Sequence, residues 1–383
     1  MDNLTHSLVG LAAAKAGLER LSPASTALCL IAANVPDSDI AVLLVGDRWT
    51  YLKHHRGITH AIIGALCLAI VLPLIFYGAD LLLARWKKRR PKVQLRGLFI
   101  ASFIVTATHP FLDWLNNYGI RPLLPWSSQW QYGDVIYIVD PFIWLSLGGA
   151  AFLLTSKTRL QKIVWTLIGI VLTFLVAFGP GRRAELANPR LLVFIWIGVV
   201  VLLLAMFFMR AEKRWGSRIA LGAFVIVAIY LAGLTFTHSV ALSRANTYAS
   251  RIATENGETV SKLAVMPTLA NPFRWQCTFQ TNGATYRFFL NALDGARDQR
   301  LTRYPTPSGN LAAAVQQAAV HRSAQIFLDF ARFPVARLKE TNCTNQTLLQ
   351  LADLRYTEPG SGRSTFTLEL PVNCKAFGEL IDR

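Results

Sequence analysis

Up to about residue 240 the chain is built of long apolar runs separated by short polar loops. Beyond that point the pattern changes to short alternating segments. Crossing a hydrocarbon core takes about 20 apolar residues in one helix. Five runs meet that length, at 59–84, 97–118, 136–155, 162–180 and 190–209. A sixth, 218–239, reads "RIALGAFVIVAIYLAGLTFTHS". The N-terminal stretches "LTHSLVGLAAAKAGL" and "PASTALCLIAANVPDSDIAVLLV" predict two shorter helices joined at "ERLSP". The pattern therefore predicts a mainly α, polytopic membrane bundle of about eight helices, the first two short, over residues 1–243.

Residues 244–383 predict a small soluble α+β domain. Turn signals ("NG", "DG", "PTPSG", "EPGSG") separate alternating segments such as "FRWQCTFQ", "TYRFFLNAL" and "STFTLELPV". "GNLAAAVQQAAVHRSAQIFLDFAR" predicts one helix.

Composition agrees with a membrane protein. The chain is 53% hydrophobic and only 16% charged, with a mean hydropathy of +0.36. A formal charge of +17 raises the question of nucleic acid, but the basic residues sit beside apolar runs, as juxtamembrane Lys and Arg do. We therefore expect no nucleic-acid partner. The seven basic residues of "ARWKKRRPKVQLRG" place that loop in the cytoplasm, and alternation does the same for "SKTRLQK" and "RAEKRWGSR". "GPGRRAELANPR" then falls outside despite its arginines, as does the Trp/Tyr-rich "NNYGIRPLLPWSSQWQYGD". The C-terminal domain comes out periplasmic, an oxidising setting in which Cys343 and Cys374 are the expected disulfide. Cys29 and Cys67 read as core residues. No signal peptide is evident at the N-terminus.

Against this apolar background a few polar residues stand out. The first 243 residues hold only 11 acidic side chains. Asp37 and Asp39 come in "NVPDSDI", and Asp113 comes in "THPFLDW" at the end of a long helix. Topology brings His6, His54, His55, His60, His109, His238, Asp37, Asp39 and Asp113 to one outer face. Ionisable groups at membrane depth usually line a cavity or pathway. Imidazole with carboxylate suits Zn²⁺, with Mn²⁺ or Fe²⁺ as alternatives. His109 and Asp113, at i and i+4, share a helical face. In "HHRGITH" we expect Gly57 to bend the chain between His55 and His60, Arg56 to face an anionic oxygen, and His54 to be incidental. Asp39 is the candidate general base. The blander uses are helix capping by "PDSD", interfacial packing by "THPFLD" and His238, and capping by Asp134 and Asp140 around 136–155.

In order, "LTHSLVG", "NVPDSD", "HRGITHA" and "HPFLDWLNNYG" resemble the signature of a bacterial inner-membrane family described as membrane-bound metal-dependent hydrolases, the LexA-binding inner-membrane hydrolase type. The resemblance is close over about the first 125 residues and weaker beyond. It implies metal-site roles for His6, Asp37, Asp39, His55, His60, His109 and Asp113. One departure is Ala61, where the family often has Ser after "HRGxTH". The His-x-x-x-Asp element is also similar to one in zinc-dependent phospholipases C.

These readings lead to an inner-membrane hydrolase that uses a divalent metal, Zn²⁺ first, at the periplasmic face, on a membrane lipid or lipid-linked phosphoester. Two rivals are a transporter using the same cluster and a non-catalytic membrane scaffold with a degenerate site, whose tail binds a periplasmic partner. Transport calls for polar residues continuing toward the cytoplasm, and the helices between 136 and 209 have almost none.

Overall fold

A computed structural model describes residues 1–178, 189–294, 300–340, 345–362 and 364–377. The chain divides into two compact units. The first comprises 1–39, 56–237 and 267–272; the second comprises 40–55, 238–266 and 273–383.

The first unit is helical. Helix α1 (Asn3–Ala16) starts at Asp2, whose carboxylate accepts from the Thr5 amide at 2.9 Å. It packs on α2 (Ser25–Asn34). Their approach needs Gly10, where a Cβ would sit 2.5 Å from the Cys29 carbonyl oxygen. Small residues at crossings let membrane helices come this close. The second N-terminal stretch is not one α-helix: it tightens into a 3₁₀-helix over Val35–Leu44. Pro36, which lacks the N–H for an α-helical bond, accompanies the change. Helices α4 (Ile62–Trp86) and α5 (Leu95–Trp114) follow α3 (Arg48–His54) and pack on each other, and α5 also packs on α2. Ala32, Ala33, Leu98, Ala101 and Val105 fill the core between α2 and α5.

Among the described residues six helices are long and apolar enough to span: Ser25–Leu44, Ile62–Trp86, Leu95–Trp114, Arg159–Phe178, Arg190–Phe208 and Arg218–Glu255. The expected 136–155 span is shorter. It is helical only as α6 (Pro141–Thr155), with a π-turn at Trp144–Gly148. Asp140 caps it, accepting from the Phe142 and Ile143 amides at 2.8 and 3.1 Å and from the Tyr230 hydroxyl at 2.9 Å. Helix α7 (Arg159–Phe178) buries no residue, and Leu167, Ile170 and Phe174 stand exposed. That surface suits lipid rather than water. Most of the "GPGRRAELANPR" loop lies outside the described residues. Cys29 is buried as expected, but Cys67 is exposed on α4, because its helix face looks out of the bundle.

The last long helix, α9 (Arg218–Glu255), follows α8 (Pro189–Phe208). At 38 residues it runs past the expected boundary at 243/244. Ala241, Ala245 and Ala249 on its final turns pack against the sheet of the second unit. That sheet has the order β1-β2-β3-β4: Val260–Thr268, Asn271–Thr281, Ala284–Asn291 and Thr302–Pro305. In β2 and β3, Cys277 pairs with Phe288 and Phe279 with Tyr286 across an antiparallel ladder. A second antiparallel sheet, β5-β6-β7 (Pro334–Leu338, Gln346–Asp353, Thr367–Asn373), packs with α10 (Gly309–Ala318) and α11 (Arg322–Phe330). The single helix expected at 309–332 is thus two, separated around His321. Trp49 of α3 packs into this core, and Arg322 reaches Thr50 Oγ1 at 2.8 Å. Cys374 is disulfide-bonded, and Cys277 is free and buried. Cys343, the other half of the expected pair, lies outside the described residues.

Candidate metal centre

Four side chains from three chain segments meet inside the first unit. Asp37 comes from the 3₁₀ segment, His60 from the turn before α4, and His109 and Asp113 from α5. His60, His109 and Asp113 are fully enclosed, and Asp37 is the most accessible at 14% side-chain exposure. His60 Nε2 lies 3.1 Å from His109 Nε2, 3.3 Å from Asp37 Oδ1 and 3.2 Å from Asp113 Oδ2. His109 Nε2 lies 3.6 Å from each of the same two oxygens. Metal–ligand bonds of ~2.0–2.1 Å at tetrahedral angles put donors roughly 3.3 Å apart. Five separations between 3.1 and 3.6 Å are those of ligands around one ion.

Proton positions point the same way. The Nδ1–H of His109 donates to the Ala33 carbonyl at 2.6 Å, so Nε2 presents its lone pair to the cluster. His60 Nδ1 faces Thr59 Oγ1 at 3.1 Å and Asp39 Oδ2 at 3.6 Å. Burial pushes the His60 imidazole down to about 4, so it is neutral near pH 7. Two imidazole nitrogens and two carboxylates therefore converge, a donor set suited to a dication. Asp113 Oδ2, though buried, has no hydrogen-bond partner among the described residues, and neither does His6 Nε2 beside it. Leaving such atoms unsatisfied is costly. The donor set thus fits a divalent cation.

The other predicted residues take different places. His6 stacks on His109, with ring centroids 3.7 Å apart, and its Nε2 lies 3.4 Å from Asp113 Oδ1. The Met1 amino group pairs with that same oxygen. Asp39 stands on the far side of His60 and accepts the Arg56 amide at 2.9 Å. Arg56 does not face an open anion site, contrary to expectation. It is 3% exposed and its guanidinium turns inward, to Asp113 Oδ1 at 3.0 Å, Asn116 Oδ1 at 2.9 Å and the Gly119 carbonyl at 3.2 Å. The bend is also one residue earlier than expected, at Arg56 with φ +51° rather than at Gly57. His55 belongs to the second unit, where it closes α3 and stacks on Tyr51. His54 is exposed. His238 is also in the second unit, bonded to the Val265 carbonyl at 3.0 Å. Asn116 escaped the sequence reading, although the "NN" after "HPFLDW" marks it. The Ala33 carbonyl left no signal at all.

Fold and site together define a multi-pass membrane protein with a buried His/Asp centre able to hold a divalent cation. Residues 1–184 match the family described as YdjM inner membrane protein, and all four motifs lie inside that match. Over 156 residues the chain is 28% identical to a Bacillus subtilis (strain 168) protein described as uncharacterized protein YfhP. That stretch is 38% of this chain and 44% of the relative, so the chain spans less than half of that relative's length. No solved structure matches the chain.

Proposed function

We propose that the protein is a metal-dependent hydrolase of the bacterial inner membrane, cleaving a phosphoester on a membrane lipid or lipid-linked substrate at the periplasmic face. The carrying observation is the set of four donors at ligand spacing, with His109 Nδ1 turned outward to the Ala33 carbonyl. A bound divalent cation, Zn²⁺ by its donor set, would supply Lewis-acid chemistry and lower the pKa of a water. Asp37, the most accessible donor, would take that water's proton. Asp39 holds His60 from behind. Arg56 holds Asp113 and the turn at 116–119, which makes it a positioning residue rather than an anion clamp. A disulfide at Cys374 supports a periplasmic second unit.

One observation favours transport. Ser102 and Thr106 lie below His109 on the same buried face of α5. From His109 to Ser102 is about 10 Å of helix rise, a third of a ~30 Å core, and Leu98 and Ala101 follow as apolar core residues. The column stops short of a pathway.

The purified protein should carry about one divalent ion per chain by elemental analysis. Asp37→Asn and His109→Ala should lose both the ion and phosphoester hydrolysis. Full activity in metal-free protein would sink the reading, and a cytoplasmic signal from a C-terminal reporter would overturn the orientation.

A further inference from the structure

A cavity of about 280 Å³ opens beside the metal centre, and His60 forms part of its wall. Its other walls include Ile62, Phe111, Trp114, Pro122 and Gln131. The rim is held by backbone bonds. The Ile62 amide donates to the Pro122 carbonyl at 3.0 Å, and Ile120 and Gln131 exchange two bonds at 3.0 and 2.8 Å. These bonds make the rim part of the fold. Ile62 and Phe111 are more than half exposed, and both lie on membrane-length helices. The cavity thus runs from the wall that contains His60 to the outward-facing side chains of α4 and α5.

We infer that this cavity receives the hydrocarbon next to the scissile phosphate, and that the substrate is a single-chain lipid phosphate whose carbon chain begins at the phosphate-bearing carbon, as in an isoprenoid alcohol phosphate. The inference rests on the hydrolase reading above. Two features select this class. First, the walls adjoining His60 are apolar and aromatic, with the Gln131 amide and the Trp114 indole as the other hydrogen-bonding side chains. A diacylglycerol phosphate would bring two ester carbonyls into this space and strip them of water without enough donors, which is unfavourable. A branched hydrocarbon makes no such demand and packs on Phe111 and Trp114. Second, the volume lies just below the usual range for a whole small ligand. It takes the first few carbons and leaves the remaining chain in the bilayer. In the reaction a water oxygen bonds to phosphorus and the bond from phosphorus to the bridging oxygen breaks. That oxygen leaves with a proton as the alcohol, and inorganic phosphate is the second product.

The test uses full-length, zinc-loaded protein in nonionic detergent with geranylgeranyl phosphate, dioleoyl phosphatidic acid and p-nitrophenyl phosphate. The expected kcat/KM for geranylgeranyl phosphate is at least 100-fold above that for phosphatidic acid. Phe111→Ala and Trp114→Ala should raise KM for the isoprenoid about tenfold with a smaller change in kcat. Equal or better hydrolysis of phosphatidic acid overturns the inference, and so does an equal loss of kcat on all three substrates. Failure to cleave any of the three defeats the hydrolase reading instead. The cavity is then judged by a diazirine-bearing isoprenoid phosphate on the wild-type protein. Labelling of the 110–122 peptide that geranylgeranyl phosphate displaces at tenfold lower concentration than phosphatidic acid supports the site. Labelling elsewhere, or equal displacement, overturns it.

Discussion

Each unit buries a carboxylate against an arginine, and the two networks end differently. In the second unit Asp353 is fully enclosed and accepts from the amides of Arg332, Phe333 and Arg355 at 3.1, 3.4 and 3.1 Å. The Arg355 guanidinium bonds the same carboxylate at 2.7 Å and donates to the Phe330 carbonyl at 2.7 Å. Every oxygen is met by a donor from the chain. In the first unit Asp113 meets Arg56 and the Met1 amino group on one oxygen, while the other points at the Nε2 atoms of His60 and His109. The complete network ties strands and helix together. The other brings four donors together at the spacing of ligands around one ion. Burial of charge alone does not identify a site; an unanswered acceptor set does.

Breaking the closed network should give the largest stability effect. Arg355→Ala leaves Asp353 buried without its cation, a loss of about 3–5 kcal/mol. Hydrogen exchange should accelerate in peptides spanning 330–355, with metal content unchanged. If metal content fell instead, the two networks would not be independent. On the open side, Arg56→Lys keeps the charge but loses the planar fork shared between Asp113 and Asn116. Loss of such an outer partner typically weakens metal binding about 10–100-fold, and competition with a zinc chelator measures it. Gly64→Ala should act on the same scale through the backbone. A Cβ there would lie 1.8 Å from the Ile58 carbonyl oxygen, forcing the turn that carries His60 to move. Unchanged metal affinity in Gly64→Ala would mean that the turn relaxes freely.

The smallest effect concerns acid. Hydrogen bonds from the Thr281 and Tyr286 hydroxyls, together with Arg303, hold the Glu258 carboxyl below its usual range. Its contribution to folding is present above the unfolded value and is lost as pH falls through the depressed one. Glu258→Gln should therefore make the second unit slightly less sensitive to acid, seen as a shallower pH dependence of exchange in the 260–290 peptides.

Much of the membrane half was legible because its signals are local. Apolar run length set the helices, and the i, i+4 spacing of His109 and Asp113 survived in α5 as expected. Asp37 and His60 were legible as polar residues out of place. What was not legible depends on small geometric choices. The 3₁₀ segment after Asn34 turns Asp37 toward the imidazoles and Asp39 to the far side of His60, although the two are only two residues apart. The left-handed Arg56 turns its side chain inward, which no residue count reveals. The 38-residue final helix hides the domain boundary, because its apolar alanines serve a lipid-facing helix and a sheet core equally well.

By itself the sequence determined which residues had to leave water, since transfer free energy depends on residue type and run length. It also determined that a few His and Asp would be stranded among them. Only the tertiary structure decided which of those became a four-donor set and which became their supports. That choice rests on distances of 3.1–3.6 Å and on a backbone carbonyl at Ala33. Such separations are fixed by how three segments pack, not by what any one of them contains.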